Sequence, residues 1–172
     1  YFTIIGIILF EYLLSLLVKI LNIKSLDPNL PDEFKDTFDT DKYKKSQEYT
    51  KTNTSFSHFT STFSVFLSLF FILSGFYGFI DEYVRDFGFN EQITGLCFFG
   101  VLFIITDILN TPFSIYRTFV IEEKYGFNKT SMKTFIVDKV KGYFLTVLIG
   151  APVLYLILYF FQSFGPNGWI YV

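Results

Sequence analysis

Apolar and polar positions are segregated along this chain rather than interleaved. Four long apolar blocks, Phe2–Ile23, Phe59–Ile80, Ile93–Ile121 and Phe135–Phe161, are separated by segments that carry most of the charge. A helix in a soluble domain keeps one wet face, so its apolar residues recur at three- and four-residue steps. These blocks are apolar nearly all round, and each reaches the roughly 20 residues that cross a bilayer core. The pattern predicts an all-α, polytopic transmembrane helix bundle. Its four spans are expected at about 2–23, 59–80, 93–121 and 138–161. A fifth is expected to start in the aromatic stretch Trp169–Val172, after the Gly-Pro-Asn-Gly turn Gly165–Gly168. Phe2–Ile23 is too long and too uniform for a signal-peptide core, and no small-residue cleavage site follows it.

The punctuation between blocks adds detail. Pro28 and Pro31 break the chain after the first span, and Asp41–Tyr49, free of Gly and Pro, predicts a solvated or interfacial helix before the second. Ser61, Thr62, Ser64 and Ser68 are tolerable in a span because a hydroxyl bonds back to the carbonyl one turn earlier. Gly88 marks the turn Asp81–Gln92. Pro112 is expected to kink the third span. Gly126 is placed to stop a helix, and Thr130 or Ser131 to cap the next. Lys139, Lys141 and Pro152 interrupt the fourth block.

Charge then sets an orientation. Of the 14 Lys and Arg residues, all but Arg85 fall at the end of the first span, in the first connecting segment, or in the third connecting region with its flanks. The positive-inside rule makes those segments cytoplasmic and the N-terminus outside or lumenal. The sequons Asn53-Thr54-Ser55 and Asn128-Lys129-Thr130 then face the cytoplasm and are discounted as glycan sites. A net charge of −2 gives no basic face for nucleic acid, and the lone Cys97 allows no internal disulfide. Hydrophobic residues make up 51% of the chain, and both termini fall inside apolar stretches, which reads as the membrane part of a larger protein.

Few residues carry candidate chemistry. Glu11 sits inside the first span, where a carboxyl costs about 2.5–3.5 kcal/mol at the helix centre unless it faces protein or water. In the third span Asp107, Asn110, Thr111, Ser114, Arg117 and Thr118 recur at helical steps and make one polar stripe opposite Phe103, Ile108, Phe113, Ile115 and Phe119. Such a stripe either glues helices together or lines a water-filled chamber, and Glu11 is a candidate partner for it. Glu11, Asp107, Asn110 and Arg117 are therefore the candidate cavity-lining residues. Glu122, Glu123 and Asn128 lie at the cytoplasmic mouth of that span and are the candidate rim. His58 is the only histidine, so no H-E-x-x-H and no two-histidine metal site exists in these 172 residues. There is also no Gly-rich phosphate loop and no G-x-S-x-G. No catalytic residue and no metal ligand is assigned.

The stretch Tyr116–Thr130, Y-R-T-F-V-I-E-E-K-Y-G-F-N-K-T, resembles the signature segment in the N-terminal membrane domain of integral-membrane CAAX prenyl proteases, which are zinc metalloendopeptidases. Leu30-Pro31-Asp32-Glu33-Phe34, the Tyr43–Tyr49 stretch, Phe10-Glu11, Pro112–Tyr116 and Trp169-Ile170-Tyr171 agree in order and spacing. The resemblance implies a helical bundle around a large aqueous chamber. It implies that zinc and its ligands belong to a catalytic domain absent from this chain. It also implies removal of the C-terminal tripeptide from prenylated Cys-a-a-X proteins, in an endoplasmic reticulum or bacterial inner membrane. The implied partners are the lipid bilayer and a prenylated or membrane-associated peptide. Two other readings stay open. One is a transporter or channel module that uses Glu11, Asp107 and Arg117 as an ion path. The other is a scaffold that docks partners through Asp32–Lys51.

Overall fold

A computed structural model describes residues 2–34, 36 and 39–165. The expected fifth-span start, Trp169–Val172, lies outside them. Helix α1 spans Phe2–Ser25, and a single 3-10 turn comes next at Asp32–Phe34. Helix α2 runs from Thr40 to Leu73, α3 from Phe76 to Arg85 and α4 from Glu91 to Tyr116. Helix α4 continues through a π turn, Arg117–Glu122, into the short α5, Glu123–Tyr125. Helix α6 covers Met132–Leu145, a second π turn covers Thr146–Gly150, and α7 covers Ala151–Phe164. No strand occurs among the described residues. Among them, four helical stretches are long and apolar enough to cross a membrane: Phe2–Ser25, Thr40–Leu73, Glu91–Tyr125 and Met132–Phe164. The protein is a multi-pass, all-helical membrane protein.

One expectation changes. The solvated or interfacial helix predicted at Asp41–Tyr49 is not a separate element, because α2 carries it without a break into the second span. No Gly or Pro lies between Thr40 and Ser74, so nothing in the backbone stops the helix. The break comes at Gly75, whose φ of +74° is a left-handed conformation that only glycine adopts cheaply. The second block therefore divides into α2 and a short α3. At its other end α2 is capped by Asp39, whose carboxylate accepts from the amides of Asp41 at 2.9 Å and Lys42 at 3.2 Å.

The second π turn, Thr146–Gly150, ends two residues before Pro152, which offers the Leu148 carbonyl no N–H. The expected stops and caps are in place. Gly126 ends α5 with φ +74°, and Ser131 caps α6 by accepting from the Thr134 amide at 3.1 Å.

The chain divides into two compact units: Tyr1–Phe76 with Thr111–Asn128, and Tyr77–Asn110 with Lys129–Val172. In the first, α1 and α2 are antiparallel. Tyr12 bonds Thr62 at 2.8 Å, while Lys19 Nζ donates to Ser61 Oγ at 2.6 Å. Phe113 packs against Phe59 and Phe63 of α2, with ring centroids 5.9 and 4.9 Å apart. In the second unit, Gly95 of α4 gives α7 room: a Cβ there would stand 2.7 Å from Leu158 Cδ1. Few side chains are buried, while large apolar ones such as Leu73, Phe66 and Val147 are about two-thirds exposed or more. In water such a surface would be an aggregation hazard; in lipid it is the solvated surface.

Candidate functional site

Two features place polar side chains within or beside the spans of the first unit, and one does so in the second. In the second unit Asp107 on α4 receives Lys139 Nζ from α6, at 2.9 Å to Oδ1 and 2.8 Å to Oδ2. Tyr143, one turn beyond Lys139 on α6, donates its hydroxyl to Asp107 Oδ2. Lys139 and Tyr143 thus meet one carboxylate from a single helix face, as an i, i+4 pair does. Asn110, one turn after Asp107, donates to the Thr106 carbonyl at 2.7 Å. Of the expected stripe, Asp107 and Asn110 are thus turned to protein polar groups. Within this unit α6 supplies Asp107 with a cation and a hydroxyl.

In the first unit Glu11 lies in a recess of about 400 Å³ between α1 and α2, lined by Ile8, Tyr12, Ser15, Ser61, Ser64, Val65 and Ser68. Of the stripe residues in this unit, none of Thr111, Ser114, Arg117 and Thr118 lines it. His58 stacks on Tyr12 with centroids 6.4 Å apart, and its Nδ1 is buried without a hydrogen-bond partner among the described residues.

The other feature of this unit is the turn at the end of α4. Arg117 opens the π turn with its guanidinium carbon 5.9 Å from the centre of the Phe56 ring, a cation–π contact, and with Nε buried and unbonded among the described residues. The Glu122 carbonyl accepts from the amides of Phe127 at 2.8 Å and Asn128 at 3.3 Å, which folds the chain back on itself. Asn128 Nδ2 donates to Glu123 Oε2 at 2.9 Å. The three rim candidates Glu122, Glu123 and Asn128 are therefore brought together in one turn. Tyr125 anchors it: its hydroxyl pairs with Thr52 Oγ1 at 2.8 Å and donates to the Glu48 carbonyl at 3.3 Å, and its ring meets Tyr49 edge-on at 5.4 Å. Phe127 packs on the same Tyr49, 4.7 Å away. The polar start of α2 thus holds this turn in place. The hydropathy pattern does not flag Tyr125, Thr52 or Tyr143, and marks Lys139 only as a break in the fourth block. The only signals are a hydroxyl within the turn and the four-residue spacing of Lys139 and Tyr143.

Arg85 stands apart from these features at the α3–α4 turn. A hydrogen bond to Asp81 at 2.8 Å, and secondarily Glu91, hold its guanidinium pKa above the ordinary value.

A family profile described as CAAX prenyl protease N-terminal, five membrane helices, matches residues 4–172. The chain belongs to this family. The CAAX prenyl protease 1 homolog of Arabidopsis thaliana is 32% identical over 179 residues, covering 99% of this chain and 42% of the relative. CAAX prenyl protease 1 of Saccharomyces cerevisiae is 31% identical over 154 residues, covering 84% of this chain and 34% of the relative. The crystal structure of Ste24p from S. mikatae matches with a TM-score of 0.86 at 29% identity, over 98% of this chain and 41% of that one. The chain thus spans less than half the length of these relatives. Among its described residues no three His, Cys, Asp or Glu side chains converge into a metal-holding group. The side chains of the described residues therefore do not fit a zinc site.

Proposed function

We propose that this chain is the N-terminal membrane domain of a zinc metalloendopeptidase that removes the C-terminal tripeptide from prenylated Cys-a-a-X proteins. The observation that carries the reading is the family match over residues 4–172, shared with relatives named as CAAX prenyl proteases. In this reading residues 1–172 are one transmembrane domain of four spans with the start of a fifth, and the zinc and its ligands come from the rest of the protein. The membrane is the endoplasmic reticulum or a bacterial inner membrane. The segregation of every Lys and Arg but Arg85 supports a cytoplasmic Arg117–Asn128 turn and an N-terminus outside or lumenal. Glu11, Asp107, Asn110 and Arg117 then supply polar surface within the membrane along the path of a lipidated peptide. Glu122, Glu123 and Asn128 order the cytoplasmic rim, with Tyr125 and Thr52 holding that rim to α2.

Membranes expressing the full-length gene provide the test. A farnesylated peptide ending in Cys-a-a-X should lose its last three residues. A chelator should stop the release and added zinc restore it. Absence of chelator-sensitive release, or an open reading frame that lacks H-E-x-x-H downstream of Val172, overturns the proposal.

A further inference from the structure

Helix α3 is too short to cross a membrane. Its ten residues reach about 15 Å at 1.5 Å per residue, half of a bilayer core of about 30 Å. A left-handed glycine stands beyond each end, Gly75 with φ +74° and Gly88 with φ +70°, so α3 continues neither α2 nor α4. The links are short. Only Ser74 and Gly75 precede α3, and residues 86–90 follow it. The longer link reaches about 18 Å at most when fully extended, so α3 stays near the level at which α4 begins. Arg85 fixes that end: it donates to Glu91, the first residue of α4, at 3.3 Å, and to Asp81 at 2.8 Å. Gln92 of α4 pairs with Gln162 near the end of α7, a polar contact suited to the edge of a span.

At about 3.6 residues per turn, Phe79, Ile80, Tyr83 and Val84 share one arc of α3, and Phe87 extends it in the turn beyond. Asp81, Glu82, Arg85 and Asp86 share the opposite arc. The apolar arc is itself divided. Ile80 and Val84 are buried, whereas Phe79, Tyr83, Phe87 and Phe89 are each more than half exposed. Tyr83 meets Phe87 edge-on at 5.6 Å, and Phe87 stacks on Phe89 at 6.0 Å, which makes an aromatic ridge.

We infer that this ridge is a lipid-insertion surface. Tyr83, Phe87 and Phe89, flanked by Phe79, enter the headgroup–acyl boundary of the leaflet in which α4 begins, while Ile80 and Val84 hold α3 to the protein. An interfacial helix sinks its apolar side about 5–10 Å into that boundary, and tyrosine is enriched there. Facing water, the same ridge would be an exposed apolar patch. Charge decides how it is held. Asp81, Glu82, Asp86 and Glu91 against Arg85, four acidic side chains and one basic, give this segment a net charge of −3. Anionic headgroups therefore do not draw it in, and burial of the rings does. The inference rests on the multi-pass fold and not on the proposed proteolysis.

The experiment reconstitutes the full-length protein, stripped of native cysteines, in phosphatidylcholine vesicles. A nitroxide is attached in turn at Tyr83→Cys, Phe87→Cys, Glu82→Cys and Asp86→Cys. Its collisions with oxygen and with a water-soluble nickel chelate are read by electron paramagnetic resonance. Oxygen should dominate several-fold at Tyr83 and Phe87, and the nickel chelate at Glu82 and Asp86. Tyr83→Trp and Phe87→Trp, in a background without other tryptophans, keep an aromatic ring and cover the case of a nitroxide that disturbs the helix. Their emission should be quenched more by lipids brominated near the glycerol end of the acyl chain than by lipids brominated at its tip. Where the two readouts disagree, the tryptophan one decides. High sodium chloride should change neither. Nickel collisions as frequent as oxygen's at Tyr83 and Phe87, without bromine quenching, would place the ridge in water. Exclusion of both reagents and of bromine would place it under another part of the protein. Either result overturns the inference, as does release of the ridge by salt.

Discussion

Replacing Asp107 by Ala should destabilise the protein by about 2 kcal/mol, a value bracketed by the exposure of the pair it breaks. The Lys139 and Asp107 side chains are 25% and 24% exposed, with Nζ and Oδ2 2.8 Å apart. Fully exposed ion pairs contribute about 0.2–1 kcal/mol, whereas removing one partner of a buried pair costs about 3–5 kcal/mol. A pair three-quarters covered on apolar helices falls between, near a thirtyfold change in the folding equilibrium at tenfold per 1.4 kcal/mol. Removing the Tyr143 hydroxyl alone should cost less, about 0.6 kcal/mol, the average for interhelical hydrogen bonds measured in a membrane protein. The assay is reversible unfolding of the full-length protein in mixed micelles, titrated with dodecyl sulfate and monitored by circular dichroism. Asp107→Ala, Lys139→Ala and the double variant form a cycle, with an expected coupling of about 1–2 kcal/mol. Additive effects within about 0.3 kcal/mol would show that the two charges do not act on each other, and would refute the bracket.

Three further outcomes are expected. Gly126→Ala should cost about 1–2 kcal/mol in the same titration, because φ stays at +74° while the new Cβ only touches Lys45 Nζ at 3.6 Å; no loss would mean the turn re-forms without a left-handed residue. Ser131→Ala should cost about 1 kcal/mol by removing the cap on the Thr134 amide, and Ser131→Asp should restore it. In a background lacking Cys97, single cysteines at Lys44 and Lys129 should react with an impermeant maleimide only from the cytoplasmic side, and one at Asp86 only from the other; the reverse pattern would defeat the charge-based orientation.

The spans were legible because lipid demands what the hydropathy pattern records: blocks of apolar residues of bilayer length, with charge between them. Helix ends were legible where one residue decides them, as at Gly126 and Ser131. The continuity of α2 was legible too, in the lack of Gly and Pro from Thr40 to Ser74, but the change from polar to apolar composition masks it. Composition says where a helix meets lipid. It does not say where the helix begins.

The partners of the polar residues were not legible, and the reason is geometric. The third-span stripe shows that Asp107 needs company, but a periodic pattern describes one helix and a contact belongs to two. Lys139 looks like an interruption of the fourth block until Tyr143, four residues on, is seen to reach the same carboxylate. The Arg117–Glu122 π turn is silent for a similar reason: no proline accounts for it, and its i→i+5 pairing leaves no mark in the order of residues. Its effect on the site is nevertheless large. A π turn inserts an extra residue and rotates the helix downstream of it, so Glu122, Glu123 and Tyr125 leave the face that a 3.6-residue period assigns them. That rotation is compatible with Tyr125 reaching Thr52 and Glu48 on α2 while Asn128 folds back to Glu123. The signature segment is thus better understood as a turn clamped by a neighbouring helix than as the end of a stripe, and its identity as a unit rests on Tyr125 as much as on the two glutamates.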